Sequence, residues 1–325
     1  MKKTAKFLAL LCAVLMLVTA VTGCTSAPAE EPAASPEATE TPAESAAPAE
    51  SEAPAASEEP AASETPAASE APAESAEPAE ETPTLDAIRE RGQLILGTES
   101  TYPPFEFIVI ENGASVGVGF DVSLAQAIAD KLGVELVTSE MAFDSLIPAV
   151  QAGTVDIAAS ITPTEERKQA VDFSDNYYDT TNVFVVRKGE EGNFTSKESF
   201  DGKTIGAQMG TAQNTLVVED MTNAQSLLLP KTTTLIQELN TGNIDAICLE
   251  KPVADIYVAA YPDDLAVCSY EVPVEEGGVA IPVAKGHEDL LNFINEVIAE
   301  MKANGEMERI YQEACTLAID QIGDE

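Results

Sequence analysis

A long segment of this chain has a composition that cannot form a globular core, and it limits the folded protein to the residues that follow. From Thr25 to about Pro83 the sequence consists almost entirely of Ala, Pro, Ser, Glu and Thr, in irregular near-repeats. It has no aromatic residue and no aliphatic residue larger than Ala. Such a segment buries too little apolar surface to offset the entropy lost on ordering, and its prolines and like charges keep it extended. We therefore predict a solvated tether over residues 24–83 and a folded part from residue 84 to 325.

The first residues have the pattern of an export signal. Three lysines within the first six residues precede a nearly unbroken apolar run from Phe7 to Val21. The run is too short for a comfortable transmembrane helix and ends at small residues. Its end, Val21-Thr22-Gly23-Cys24, resembles a bacterial lipobox. The sequence predicts a lipoprotein signal peptide at 1–23 and a lipidated Cys24 that anchors the mature protein to the outer face of the cell membrane. An ordinary signal peptide with an incidental cysteine is the alternative.

Charge and cysteine content exclude several function classes. The chain has a net charge of −39, and it stays strongly acidic without the fifteen glutamates of the tether. This argues against nucleic acid and acidic membrane surfaces as partners. Cys248, Cys268 and Cys315 are too widely spaced for a disulfide framework or a metal site, although a single Cys248–Cys268 bridge stays open. Because His287 is the only histidine, histidine-dependent catalysis and imidazole metal sites are also disfavoured. We expect no metal, no cofactor and no enzymatic activity.

Short apolar runs alternate with helical patterns in the folded part, which is typical of an α/β sheet with crossovers. Helix Asp121–Leu132 has one apolar face and a stop signal at Gly133. The other elements predicted for this first unit are strands Gln93–Thr98, Val134–Thr138 and Val155–Ala159, and helix Asp144–Ala152.

A second unit follows after a strand, Thr181–Arg187, that leaves the first one. A later strand, Val272–Ile281, returns the chain to the first unit, where the final helices pack. The remaining predicted elements are strands Lys203–Gln208 and Ile244–Leu249, a helix from about Gln213, and helices Glu288–Asn304 and Met307 to about Ala318. Two strands that cross between two lobes make a hinge, and ligands favour the cleft at such sheet edges.

An aromatic segment and an arginine suggest what the cleft holds. Tyr102-Pro103-Pro104-Phe105-Glu106-Phe107 lies about sixty residues before Arg167. An arginine fork matches a carboxylate with two charge-assisted hydrogen bonds, and an aromatic face gives a small carbon skeleton a surface to lie on. This pairing indicates capture of a free amino acid.

Two helix starts add to that pattern. Thr162 to Glu165 reads as a capping box with Thr162 as the cap and Arg167 in the second turn. The alternative is an ordinary cap with a surface arginine that pairs with Glu165 or Glu166. Met209-Gly210-Thr211 offers a comparable anion-receptive start in the second unit.

Several motifs in the same order resemble bacterial solute-binding proteins of the polar amino-acid ABC-transporter type (solute-binding protein family 3). The resemblance covers roughly residues 94–311. Its pieces are the 102–107 segment, Gly119-Phe120-Asp121-Val122, Phe143 with Leu146-Ile147-Pro148-Ala149, 162–167, Asp172-Phe173-Ser174 with Tyr177-Tyr178, and Asp245-Ala246 with Glu250-Lys251-Pro252-Val253-Ala254.

The resemblance implies a two-lobe periplasmic-binding-protein (Venus flytrap) fold of two three-layer α/β/α lobes joined by two hinge strands. Lobe 1 would comprise 84–186 and 276–325, and lobe 2 would comprise 187–275. It implies an extracytoplasmic, monomeric protein that delivers a polar L-amino acid to an ABC-transporter permease. The alternatives are a cyclohexadienyl (arogenate or prephenate) dehydratase on the same fold and an amino-acid sensor subunit for a receptor.

The resemblance also implies roles for individual residues. Arg167 would bind the α-carboxylate with Ser160, Thr162 and Thr211, while the Ala159 carbonyl and Glu250 would take the ammonium group. Glu250 stands where the family usually has aspartate. Asp121 is interpreted as a helix cap. The ring pair Tyr102 and Phe143 would hold the ligand between them, with core packing as the alternative role of both rings, and Glu99 and Gln208 would face the ligand side chain.

Overall fold

The computed structural model describes residues 83–323. The predicted signal peptide, Cys24 and the tether up to residue 82 lie outside the described residues. Among residues 83–323, no helix combines the length and apolar character that crossing a membrane requires.

Strands and helices alternate along the described chain. The strands are β1 (Gln93–Thr98), β2 (Thr101–Tyr102), β3 (Glu106–Glu111), β4 (Ala114–Val118), β5 (Glu135–Glu140), β6 (Ile157–Ala158), β7 (Val171–Phe173), β8 (Tyr178–Arg187), β9 (Thr204–Gln208), β10 (Gln225–Leu229), β11 (Ala246–Glu250), β12 (Leu265–Val279) and β13 (Pro282–Ala284). The helices are α1 (Pro83–Arg91), α2 (Phe120–Leu132), α3 (Leu146–Gln151), α4 (Glu165–Ala170), α5 (Ala212–Thr215), α6 (Thr232–Asn240), α7 (Lys251–Ala260), α8 (Glu288–Asn304) and α9 (Glu306–Gly323). One turn of π-helix, Leu216–Asp220, continues α5.

One α/β unit, which we call the first lobe, is built on the parallel sheet β5-β1-β6. Alternating side chains of β1 face opposite layers. Leu94 and Leu96 pack with α2 and α8, whereas Ile95 packs with α3. The hairpin strands β2, β3 and β4 and the antiparallel pair β7–β13 complete this lobe. The result is a sheet with helices on both faces.

The other unit, which we call the second lobe, is built on the five-stranded sheet β10-β9-β11-β8-β12. Strands β9, β10 and β11 are parallel, while β8 and β12 are antiparallel to their neighbours. On β8, Val183 and Val185 face α6 and α7, and Phe184 packs against Phe200 on the opposite face. The predicted mixed α/β, two-lobe architecture is therefore what the chain forms.

Most predicted elements are confirmed, with shifts that have local causes. Gly133 ends α2 in the left-handed conformation at φ 77°, as predicted. The predicted helix Asp144–Ala152 begins instead with a 3₁₀ turn, Phe143–Ser145, and becomes α-helical at Leu146. Pro148 explains this start, because it has no N–H to bond the carbonyl four residues before it.

The open question of a Cys248–Cys268 bridge is answered by the sheet. Cys248 lies on β11 and Cys268 on β12, and β8 runs between these two strands. Two strand spacings place backbones about 10 Å apart, beyond the roughly 7 Å that a disulfide tolerates between Cα atoms. Both thiols are free and buried, and Cys315 is free and half-buried.

Candidate functional site

Polar side chains are buried where the parallel strands of both lobes end. Glu99 follows β1 and Ser160 follows β6 in the first lobe, and Gln208 and Glu250 are the last residues of β9 and β11 in the second. The carboxyl ends of parallel strands meet at one edge of a sheet. The predicted site residues therefore gather on the facing edges of the two lobes.

Arg167 links the two lobes. Its Nη1 donates to the Thr162 carbonyl and its Nη2 donates to the Gly210 carbonyl of the second lobe, each at 2.8 Å. Its guanidinium carbon lies 5.5 Å from the centre of the Phe143 ring. Burial lowers the pKa of Arg167, and the nearby charge of Glu250 opposes that effect. The side chain thus points into the cleft, where a donor fork can meet a carboxylate.

The predicted capping box at Thr162 is wrong. Helix α4 begins at Glu165, and its cap is Thr164, whose hydroxyl accepts a hydrogen bond from Arg167 N at 3.3 Å. Because the cap lies two residues later than predicted, Arg167 lies in the first turn. The Thr162 carbonyl is left to hold the Arg167 guanidinium instead.

On the facing lobe, Thr211 caps α5. Its hydroxyl accepts from Asn214 N at 3.1 Å and donates to the Gln208 carbonyl at 2.7 Å. Gly210, at φ +76°, lets the backbone pass close to Asp144 of the first lobe. Phe143, Arg167, Gly210 and Thr211 all line one cavity of about 560 Å³, whereas Tyr102, Glu99, Gln208 and Glu250 are not among its lining residues.

Tyr102 and Glu250 meet across the cleft. The Tyr102 hydroxyl accepts a hydrogen bond from Glu250 N at 3.4 Å, and both residues are buried. The Tyr102 ring stacks on Phe105, with centroids 6.1 Å apart. The predicted arrangement, in which Tyr102 and Phe143 hold the ligand between them, stays a prediction.

Glu250 is the buried acid on the second-lobe side of the cleft. It is 2% exposed, and its Oε2 has no hydrogen-bond partner among the described residues. Burial raises the pKa of Glu250 to about 7, and the charge of Asp121 adds to that rise, while Gln213, Arg167 and Tyr102 oppose it. A buried carboxyl oxygen without a partner is costly to keep unless a cation pairs with it.

Glu99 and Gln208 form a second contact between the lobes. Gln208 Nε2 donates to Glu99 Oε2 and to the Pro230 carbonyl, each at 2.9 Å. Burial raises the pKa of Glu99, and its hydrogen bonds from Thr101 and Gln208 counteract this. The two side chains lie together, and their role in facing the ligand side chain stays a prediction.

Ser160 has a strained backbone that neighbouring side chains support. Its φ is +52°, which is unusual for a residue with a Cβ. Ser160 N donates to the Tyr177 hydroxyl at 3.1 Å, and Ser160 Oγ donates to Asp121 Oδ2 at 2.6 Å. Ala159 precedes it and is buried after β6; a ligand role for its carbonyl stays a prediction.

Asp121 is not the helix cap that the sequence predicts. Gly119 is in the cap position of α2, and the Asp121 carboxyl faces Ser160 instead. Burial raises the pKa of Asp121 to about 6, and it raises that of Glu106 well above its usual range, with the charge of Asp121 adding to the effect on Glu106. The cleft is therefore backed by buried carboxyls on the first-lobe side.

Sequence reasoning missed Asn182, Gln213 and Tyr177 as parts of this site. All three are buried, and each contacts a predicted site residue or lies directly beside one. Gln213 follows the Gly-Thr helix start by two residues, which was a usable signal. Tyr177 lies in the polar run 174–182 and Asn182 is its last residue before the apolar run Val183–Val186, so neither position indicates which residue it contacts.

The arrangement has the charges that a small zwitterion needs. A guanidinium and a buried carboxyl on opposite sides of one cleft match a carboxylate and an ammonium group. Within residues 83–323, no group of three or more His, Cys, Asp or Glu side chains is arranged to hold a metal ion.

Comparison with known proteins identifies the family. Residues 94–315 match the family described as bacterial extracellular solute-binding proteins, family 3. This chain belongs to that family. Its members are extracytoplasmic or periplasmic proteins. The two-lobe fold is the one found in its solved neighbours.

Two relatives and one solved structure show the extent of the similarity. The chain is 37% identical over 229 residues to the arginine-binding extracellular protein ArtP of Bacillus subtilis, covering 67% of this chain and 84% of that protein. It is 32% identical over 227 residues to the L-cystine-binding protein TcyJ of Escherichia coli, covering 70% and 84%. The amino acid ABC transporter substrate-binding protein AbpA of Streptococcus pneumoniae, solved with L-arginine, has a TM-score of 0.70 and 33% identity, covering 72% of this chain and 99% of that one.

Proposed function

We propose that this protein captures a free L-amino acid with a polar, preferably cationic, side chain and delivers it to the permease of an ABC transporter. The observation that carries the proposal is the placement of Arg167 and Glu250 in one cleft, the first with donors for a carboxylate and the second with an unpartnered buried oxygen for an ammonium group. The named binding of arginine and cystine by relatives supports the same class of ligand.

The side-chain preference rests on the charges of the cleft. Glu99 lies at the strand-end edge beside Gln208, and Asp121 and Glu106 are buried behind it. In our proposal Arg167 is paired with the ligand carboxylate and Glu250 with the ligand ammonium group, so an ionised Glu99 adds a negative charge that neither of these pairs neutralises. A guanidinium or ammonium side chain would neutralise that charge, whereas an acidic ligand side chain would be repelled.

Binding and closure are coupled in this proposal. The first lobe, with Tyr102, Phe143 and Arg167, receives the amino acid, and closure adds Thr211 and Glu250. A ligand that contacts both lobes shifts the population toward the closed form. We place the two lobe crossings on β8 and β12, and the boundaries expected at 186/187 and 275/276 fall inside these strands.

The anchor is a separate part of the proposal. Cleavage before Cys24 and its lipidation would hold the protein at the outer face of the membrane, and the acidic tether would keep the monomeric binding domain near the permease. A short tether raises the effective concentration of one partner at the other. Metabolic labelling with a palmitate analogue, compared between the natural chain and Cys24→Ala, tests this step.

The test of the function is a ligand screen on the purified protein. Each of the twenty L-amino acids, with ornithine and cystine added, is tested by thermal shift, and positive results are measured by calorimetry. A ligand at 100 times its Kd stabilises the folded state by about 2.7 kcal/mol. We expect L-arginine, L-lysine or L-ornithine to give the largest shift. If no amino acid raises the melting temperature, the proposal is wrong.

The dehydratase alternative has one supporting observation and the same sample tests it. Burial raises the pKa of Glu250 and of Glu99, and a general acid needs such a shift. Binding of an amino acid accounts for both carboxyls, so we propose a protein without enzymatic activity. Formation of phenylalanine or phenylpyruvate from arogenate or prephenate would overturn this view. A sensor role would require a receptor that binds the liganded form in place of the permease.

A further inference from the structure

Two buried amides that the family comparison leaves without a role lie beside the candidate ammonium site. Gln213 is the second residue of α5, and Asn182 lies in β8. Their exposed fractions are 5% and 4%. Gln213 Nε2 donates to Asn182 Oδ1 at 2.7 Å. Burial of two amides demands hydrogen bonds for their polar atoms, and this contact supplies one of them.

The amide pair is in place to hold Glu250. Asn182 is directly opposite Glu250 in the antiparallel pairing of β8 with β11, so the two side chains lie on one face of the sheet about 5 Å apart at Cβ. Gln213, bonded to Asn182, is thereby placed beside the Glu250 carboxyl, and its side chain lowers the pKa of Glu250. A primary amide has two N–H groups, so Gln213 can donate one to Asn182 and the other to Glu250.

The remaining contacts of Glu250 show which oxygen is left for a ligand. Its backbone N–H donates to the Tyr102 hydroxyl at 3.4 Å, and its Oε2 has no partner among residues 83–323. Glutamate has one more rotatable bond than aspartate, so its carboxyl has more freedom to lose on binding. A fixed hydrogen bond to the carboxyl removes part of that freedom before the ligand arrives.

We propose that Gln213, itself held by Asn182, is a positioning residue that fixes the Glu250 carboxyl so that its free oxygen faces the ammonium group of the ligand. The inference rests on the proposed function, in which Glu250 receives that group. Asn182 belongs to β8, a strand proposed to connect the lobes, so the orientation of the ammonium acceptor is set from the hinge. The hydrogen bond thus gives the glutamate carboxyl a fixed orientation, which aspartate would reach with one rotatable bond fewer.

Charged and titratable groups around Glu250 influence the pH at which its carboxyl ionises. Asp121 of α2 and Arg167 of α4 act on it from the first lobe, Tyr102 from β2, and Cys248 lies on its own strand. Ammonium binding requires the ionised carboxyl, so affinity should rise with pH until Glu250 is ionised. A hydrogen bond from Gln213 favours the ionised form, so its loss moves this rise to higher pH.

The experiment measures the affinity for L-arginine by calorimetry between pH 5.5 and 8.5 in the natural protein and in Gln213→Ala, Asn182→Ala and Glu250→Gln. We expect Gln213→Ala to weaken binding about tenfold at pH 7 and to raise the midpoint of the pH profile by about one unit. Asn182→Ala should shift the midpoint in the same direction by less. Gln213→Met, which keeps the volume, replaces Gln213→Ala if that variant is unstable, and the exposed Gln237→Ala is the control.

A double variant separates positioning from direct contact with the ligand. If Gln213 acts through Glu250, adding Gln213→Ala to Glu250→Gln should change the affinity less than twofold. An unchanged midpoint, or an equal loss in both backgrounds, overturns the positioning role alone. Natural affinity in Glu250→Gln, or a natural protein that binds no L-arginine, contradicts the proposed function and removes the basis of the inference with it.

Discussion

The proposed closure of the two lobes depends on the absence of a side chain at Gly210. A Cβ built at this position would lie 2.7 Å from Asp144 Cβ and 3.1 Å from Asp144 Cα, both in the opposite lobe. Neither atom is the mobile end of a side chain, so the backbone of one lobe must move. Gly210→Ala should therefore act as a wedge that the closed form has to accommodate and that an open form does not meet.

The size of the effect follows from a matched control. Gly242 in the same lobe has φ +80°, and a Cβ there meets nothing within 4 Å. Gly210→Ala and Gly242→Ala share the strain of a left-handed alanine, about 1 kcal/mol. Only Gly210→Ala adds the overlap between the lobes, for which overpacking of about 1–3 kcal/mol is typical. We expect it to weaken binding of L-arginine roughly 5- to 150-fold.

Calorimetry gives the Kd of both variants, and thermal melts without ligand give their stabilities. The melting temperatures of the two variants should fall by similar amounts, since the shared strain is local, while only Gly210→Ala should lose affinity. Small-angle scattering with saturating L-arginine should show a larger radius of gyration for Gly210→Ala. Equal affinities in the two variants would show that the lobes do not approach here when ligand is bound, and the closure argument would be refuted.

Three further predictions concern charged groups of the cleft. Arg167→Ala should weaken L-arginine binding by two orders of magnitude or more, because the ligand carboxylate is left buried and unpaired. In the control Lys168→Ala, on the exposed side of α4, the Kd measured by calorimetry should stay within twofold of the natural value. Glu99→Gln should weaken binding of L-arginine about tenfold or more while L-glutamine affinity changes little; equal losses for both ligands would contradict a role in charge selection. Since burial raises the pKa of Glu250 to about 7, the ligand-free protein should lose stability as pH rises from about 4.5 toward 7, and Glu250→Gln should flatten that part of the melting profile.

The secondary structure could be predicted from the sequence where a local pattern determines it. Helix α2 has apolar residues at helical spacing and a glycine stop, and both were predicted. Hairpin β3–β4 was not predicted, although Asn112-Gly113 marks it: both residues have positive φ, 52° and 82°, as a two-residue hairpin turn requires. The sequence itself therefore marks this turn.

The site was accessible only in part, because its contacts join distant residues. Arg167 and Glu250 were predicted from motifs, and their placement in one cleft supports the proposal built on them. The cap of α4 was misplaced since Thr162 and Thr164 are equally suitable by composition, and only the backbone geometry selects Thr164. Asn182 and Gln213 could not be paired from sequence, because register between β8 and β11 decides which side chains face Glu250.

The strand that separates Cys248 from Cys268 affects how the domain responds to oxidants. With β8 between them, the two thiols of the native domain are kept apart by strand order and not by the redox poise of the surroundings. An oxidant therefore has no native crosslink to make between these two positions, and a reductant has none to break. A change in redox conditions outside the cytoplasm therefore cannot alter the native domain through a bond between these two cysteines.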